Sequence, residues 1–287
     1  MARLFRLLSV FSLATLHRFG WFAGWITYGM SPTYRRRLRA NLTQALGEPL
    51  PAGTLGAAVA GAGRQALELP WVWLRPRDEV LARVVEVSGW QHVEAAWAAG
   101  KGILFLTPHL GCFEITAQYY AARRPITVLY RPPKRRELQP LIESGRGAGQ
   151  GIELAPADLS GVRRLIRALR GREAVGMLPD QVPARGEGVW VPYFGRPAYT
   201  MTLAARLSAL PACELILAWA ERLDGGRGYH LHLSLPERPL GGDTEARAAA
   251  INGELERLIR LRPDQYLWGY NRYKRPAGAP PAGQDAT

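Results

Sequence analysis

The chain has 287 residues, 47% of them hydrophobic and 21% charged, which suffices for one large domain with a buried core. Its two cysteines, Cys112 and Cys213, exclude a disulfide framework and a cysteine-rich metal cluster. A formal net charge of +13 favours acidic partners: anionic headgroups, an acidic protein or nucleic acid.

Residues 4–30 are largely apolar, but His17 and Arg18 interrupt them. The uninterrupted run over residues 7–16 is about half the length a spanning helix needs. No small-residue cleavage site follows, so a cleaved signal peptide is not expected. Trp21, Phe22, Trp25 and Tyr28 suit a headgroup layer, and Arg35, Arg36, Arg37 and Arg39 follow closely. Residues 1–39 are therefore expected to be a membrane-associated anchor, spanning or lying in the interface. An ordinary core helix with a basic face is the competing reading.

Residues 40–85 read as helical. From about residue 100, short apolar runs at 103–107, 127–130, 152–155 and 174–178 alternate with helical patterns at 113–122, 136–147 and 158–170. That alternation predicts an α/β sheet flanked by helices. Further strands are expected at 213–222 and 229–235. A helix should run from Asp243 or Thr244 to Leu261, with Thr244 able to cap it. Residues 40–276 are expected to form one domain, and 277–287 a disordered Pro/Gly/Ala-rich tail.

Chemistry concentrates where strands end. The segment KGILFLTPHLGCFE runs from an apolar strand through Pro108 to His109, with Glu114 five residues on. A carboxylate in the first turns of the next helix can reach back to the imidazole and fix its tautomer, leaving His109 as a general base. Cys112 stands open as an alternative nucleophile, which would make a hydrolase or thioesterase. Arg131 follows the next strand, and Asp180-Gln181 follows a third. Polar groups at three strand ends point to a site in an α/β protein. Arg131, with Lys134, Arg135 and Arg136, suits phosphate.

The blocks HLGCFE, YRPP, LPDQ, VPYFGRPAYT and QYLWGYNRYKRP resemble, in order, those of the bacterial lipid A late acyltransferases, over roughly residues 5–276. The resemblance implies a glycerol-phosphate-acyltransferase-like mixed sheet flanked by helices, with an N-terminal membrane-associated helix, at the cytoplasmic face of the inner membrane. It implies transfer of a fatty acyl chain from an acyl carrier protein thioester to a hydroxyl of a lipid A precursor. His109 and Glu114 fall on the family's catalytic pair, with Arg131, Asp180 and Gln181 as candidate substrate-binding residues. No metal or cofactor is expected. The expected partners are acyl carrier protein, the lipid A precursor or a related glycolipid, and inner-membrane lipids, without nucleic acid. The family commonly has Gly-Asn-Trp-Glu where this chain has Gly111-Cys112-Phe113-Glu114, and its closing block often reads Trp-x-His-x-Arg-Trp-Lys where this chain has Trp268-Gly269-Tyr270-Asn271-Arg272-Tyr273-Lys274. Those departures leave the acceptor open to another glycolipid or lipid-like alcohol. A non-catalytic basic membrane-binding module would explain the charge but not the ordered strand-end motifs.

Overall fold

The computed structural model describes residues 2–132, 139–147, 151–184 and 186–283. In chain order the elements are α1 (Ala2–Ser9), α2 (Leu13–Met30), α3 (Pro32–Leu46), α4 (Thr54–Leu74), α5 (Arg77–Leu81), β1 (Val84–Ser88), α6 (Trp90–Ala98) and β2 (Gly102–Leu106). Then come α7 (Glu114–Ala121), β3 (Ile126–Tyr130), α8 (Gln139–Gly145), β4 (Ile152–Pro156), α9 (Leu159–Arg170), β5 (Ala174–Met177), β6 (Gly188–Tyr193) and β7 (Arg196–Met201). The chain closes with α10 (Leu203–Ser208), β8 (Cys213–Arg222), β9 (Tyr229–Ser234) and α11 (Thr244–Leu261).

Seven strands form one sheet in the order β1-β9-β8-β2-β5-β3-β4. Five of them run parallel from β8 through β4. The antiparallel β8–β9 pair reverses direction, and β1 runs parallel to β9. The expected mixed α/β sheet flanked by helices is therefore present. Strand β2 is buried along its whole length, which is why it reads GILFL rather than alternating. Leu104 and Leu106 enter the core on one face, and Ile103 and Phe105 the core on the other. At the start of α11 the cap is Asp243, whose carboxylate accepts from the Ala246 N–H at 2.8 Å; the Thr244 cap is thus corrected by one residue.

Strand β1, helix α6, the β6–β7 hairpin and helix α10 escape the periodicity. The short strand β1 begins in the last two residues of the stretch read as helical and runs beyond it. The hairpin β6–β7 turns on Phe194 and Gly195, both with positive φ (48° and 73°), as a two-residue hairpin turn requires. Phe194 is held there by a backbone N–H bond to Glu256 and by packing on Trp268. Helix α10 follows directly.

The N-terminal segment corrects the reading of residues 1–39. Among the described residues no helix is long and apolar enough to cross a membrane, which overturns the expected inner-membrane, cytoplasmic-face placement. Ser12 breaks the apolar run, capping α2 through a bond from the Thr15 N–H at 3.2 Å. One side of α2 packs along α4. Gly20 and Gly24 let the two backbones meet: a Cβ at Gly24 would strike the Val59 carbonyl, and one at Gly20 the backbone of Arg64. His17 is not a solvated interruption. It is buried, and its Nε2 lies 3.1 Å from Glu68 of α4. Phe19, Trp21, Phe22, Trp25 and Ile26 remain exposed. We expect Gly24→Val to destabilise the fold by about 1–3 kcal/mol through this overpacking, as read by denaturant unfolding.

Glu68 organises the junction between these helices and the sheet. Its Oε2 accepts from Arg222 Nε at 2.8 Å and from the Tyr229 hydroxyl at 3.3 Å, while Arg222 Nη2 pairs with Oε1. Both ionic partners are buried. Burial raises the Glu68 pKa, but the Arg222 charge and the hydrogen bonds from Arg222 and His17 overcome it, holding the carboxyl down at about 2.

Candidate active site

Two adjacent parallel strands deliver the central pair. Strands β2 and β5 pair with Leu106 opposite Met177. Three residues beyond each stands a polar group behind a proline: Pro108-His109 after β2, and Pro179-Asp180 after β5. Proline has no N–H to continue a ladder, so each strand stops and its next side chain is released at the carboxyl end of the sheet. Because the strands are in register, His109 and Asp180 arrive together.

His109 Nδ1 lies 2.7 Å from Asp180 Oδ1, and the His109 backbone N–H donates to Oδ2 at 2.9 Å. The Tyr266 hydroxyl donates to the same Oδ2 at 3.1 Å and itself meets the Tyr193 hydroxyl at 3.1 Å. Asp180 is 1% exposed. Burial pushes its pKa up; the His109 charge, the bonds from the His109 ring and backbone, and the Tyr266 hydroxyl pull harder, leaving it below the ordinary aspartate value. The carboxylate is therefore ionised at neutral pH and accepts a proton-bearing Nδ1. That tautomer leaves Nε2 with its lone pair, facing the Gln181 amide nitrogen at 3.0 Å.

The loop carrying His109 is laced down. The Leu267 N–H donates to the His109 carbonyl at 3.2 Å, the Gly111 N–H to Gln265 at 3.1 Å, and the Cys112 N–H to Ala220 at 2.8 Å. Gly111 has a positive φ of 58° and passes against the Ala220 carbonyl with no room for a side chain. The Phe113 ring packs edge-on to His109, with centroids 4.8 Å apart.

The structure brings the expected residues together in a different pairing. The carboxylate that orients the imidazole is that of Asp180, not of Glu114. Glu114, the first residue of α7, is gripped by Arg146, whose Nε and Nη2 donate to its Oε1 at 3.0 and 2.8 Å. Arg146 in turn lies over the ring of Tyr130, 5.4 Å from its centroid. Arg131 is exposed and stands on the rim of the same cavity. Lys134, Arg135 and Arg136 lie outside the described residues. Cys112 is corrected as a nucleophile: it is 1% exposed, and burial, followed by the nearby Glu68 charge, pushes its thiol well above the usual range.

A cavity of about 950 Å³ opens beside His109 and is bounded by Glu114, Arg131, Arg146 and Gln181 at its polar end. Its deeper wall is apolar, with Ile126, Val128, Ile152 and Leu154 from β3 and β4. Gly176 of β5 adds no side chain opposite Ile126 and Val128, which keeps this lobe open. A base at the mouth of an apolar cavity with cations on its rim can take a molecule that is part hydrocarbon and part anion. The residues that sequence reasoning missed are Tyr266 and Arg146. Tyr266 sits inside the quoted closing block QYLWGYNRYKRP; Arg146 had no signal beyond being one arginine among many.

The family model for bacterial lipid A biosynthesis acyltransferases matches residues 2–275. The lipid A biosynthesis lauroyltransferase of Escherichia coli is 31% identical over 223 residues, covering 77% of this chain and 71% of that protein. The lipid A biosynthesis palmitoleoyltransferase of Escherichia coli is 25% identical, covering 75% and 70% respectively. The phosphatidylinositol mannoside acyltransferase of Mycobacterium tuberculosis is 27% identical over 242 residues, covering 79% and 73%.

Proposed function

Since the chain belongs to the bacterial lipid A biosynthesis acyltransferase family, and so is an O-acyltransferase, we propose that it acylates a hydroxyl of a lipid A precursor with His109 as general base. The donor in this reading is a fatty acyl thioester of acyl carrier protein. The observation that carries it is the His109–Asp180 pair at the mouth of the apolar cavity. His109 Nε2 takes the proton of the acceptor hydroxyl while the oxygen attacks the thioester carbonyl. The carbon–sulfur bond then breaks, and the leaving sulfur takes the proton back from the imidazolium. The ionised Asp180 holds Nδ1–H throughout and stabilises the transient imidazolium. Gln181 lies on the Nε2 lone pair, so its amide swings aside as the acceptor arrives.

The acyl chain occupies the lobe lined by Ile126, Val128, Ile152 and Leu154. Glu114 and its partner Arg146 face the same cavity and position the acceptor's polar groups; Glu114 acts there rather than on the imidazole. Arg131 on the rim suits an acceptor phosphate, or the phosphate of the carrier's pantetheine arm, through its planar fork. The net charge of +13 serves an acidic carrier and an anionic lipid alike by steering both toward the protein. As written, the reaction needs no cofactor. The likeness to glycerol-phosphate acyltransferases belongs to the same reading.

The mannoside acyltransferase among the relatives supports a second acceptor class, a mannosylated phosphatidylinositol. Incubating the purified chain with acyl carrier protein thioesters and each acceptor, followed by mass spectrometry, separates the two. We expect the lipid A precursor to gain one acyl chain for each carrier thiol released. Thiol release without any acylated acceptor would make the protein a thioesterase. Acylation of the mannoside alone would replace the acceptor while keeping the chemistry.

A further inference from the structure

We propose that Glu221, His230 and His232 form a site for a divalent transition-metal ion of the zinc class, on the face of the sheet where β8 and β9 run antiparallel. Side chains two apart on a strand share a face, so β9 presents both imidazoles together. The register then surrounds them with oxygen donors. Glu221 of β8 is the direct cross-strand partner of His230, and Glu86 of β1 is paired with His230 from the other side. One ligand atom from each of Glu221, His230 and His232 lies within 4.8 Å of the other two. His232 Nε2 is 3.0 Å from Glu221 Oε2. His230 Nε2 is 2.8 Å from Ser88 Oγ and 3.5 Å from Glu86 Oε1.

The surroundings are organised as a ligand set would be. The Trp219 ring stacks on His232 with centroids 4.4 Å apart and walls one side. Arg262 pairs with Glu221 Oε1 and is itself fixed by Asp264, which orients the carboxylate and leaves Oε2 toward the histidines. The two imidazoles lie 3.7 Å apart between centroids, so two imidazolium charges would repel each other at close range. A single dication satisfies both lone pairs and the carboxylate charge at once. Metal–nitrogen bonds of about 2.0–2.1 Å would draw the ligand atoms together from their present spacing. Two nitrogens and one carboxylate oxygen suit zinc and its late first-row neighbours, with water or Glu86 as a fourth ligand. The residues stand outside the cavity at His109, so the ion's effect is to tie β8 to β9. The inference does not depend on the acyl-transfer reading.

The test uses the full chain without a histidine tag, stripped with EDTA and titrated with Zn²⁺ by calorimetry, with Co²⁺ absorption in parallel. We expect one Zn²⁺ per chain and a higher thermal midpoint in its presence. His230→Gln and His232→Gln should each weaken binding by about 10-fold or more, whereas His109→Gln should leave it unchanged. Parent-like cooperative thermal melts of the metal-free His230 and His232 variants show that they fold. In the parent protein, saturating Zn²⁺ should also shield His230 and His232, but not His92, from diethyl pyrocarbonate, as mapped by mass spectrometry; this arm needs no variant. Absence of saturable Zn²⁺ binding, unaltered affinity in both His230→Gln and His232→Gln, loss of binding in His109→Gln alone, or unshielded His230 and His232 would each overturn the proposal.

Discussion

His109→Ala should lower the rate of acyl transfer by about 10²–10⁴-fold while the protein stays folded. The size follows from the role: the ring takes a proton in the step where the acceptor oxygen attacks, and another group at the mouth of the cavity would have to replace it. The fold should survive because Asp180 keeps two of its three donors, the backbone N–H of residue 109 and the Tyr266 hydroxyl. The check is a single-turnover assay on purified protein beside a thermal melt. Cys112→Ser, by contrast, should leave the rate near that of the parent, since the thiol is buried and faces away from thiolate chemistry. A parent-like rate in His109→Ala would remove the base assigned here.

Glu68→Gln should be the most destabilising of the polar changes, by about 3–5 kcal/mol, because it leaves the buried Arg222 guanidinium without a counter-charge. For a chain of this size that corresponds to a fall in thermal midpoint of roughly 6–20 °C. The pH dependence carries the same signature. The Glu68 pKa falls from an ordinary 4.5 to about 2 on folding. A depressed carboxylate contributes stability that is complete above its unfolded value and is lost as pH drops through its folded value. The parent protein should therefore lose this contribution between about pH 4.5 and 2, and the Gln variant should lack that part of the acid decline. Denaturant unfolding across that range measures both curves. An unchanged midpoint at neutral pH would mean that the network does not fasten α2 and α4 to the sheet.

What the sequence reveals and what it hides divide along the reach of a chain. The strand ends at Pro108 and Pro179 are visible because proline and the apolar runs before it are local signals. Caps are legible only to within a residue: the sequence allows Thr244 at the start of α11, and the structure uses Asp243. Spacing points His109 to Glu114, five residues on, while Asp180 lies 71 residues away. Only the pairing of β2 with β5, and its register, brings Asp180 alongside, and strand order cannot be read from periodicity. The same holds for Glu114 and Arg146, and for His17 and Glu68. In sequence His17 interrupts an apolar segment, because its partner Glu68 lies 51 residues away on another helix. The aromatic residues of α2 resemble one headgroup belt in sequence, yet Tyr28 is buried while Trp21 and Trp25 are exposed. Composition cannot separate those two fates; packing along α4 does.

The central claim is that Asp180 acts through His109. A double-mutant cycle on the transfer rate tests it most directly. Two residues that act as one unit lose their effect together, so the second change costs nothing once the first is made. Asp180→Asn alone should slow transfer by about 10²-fold or more, through a ring that is no longer held in its base form. In the His109→Ala background, the same Asp180→Asn change should leave the residual rate where it was. Equal, multiplying losses in both backgrounds, or a parent-like rate in Asp180→Asn alone, would contradict the account.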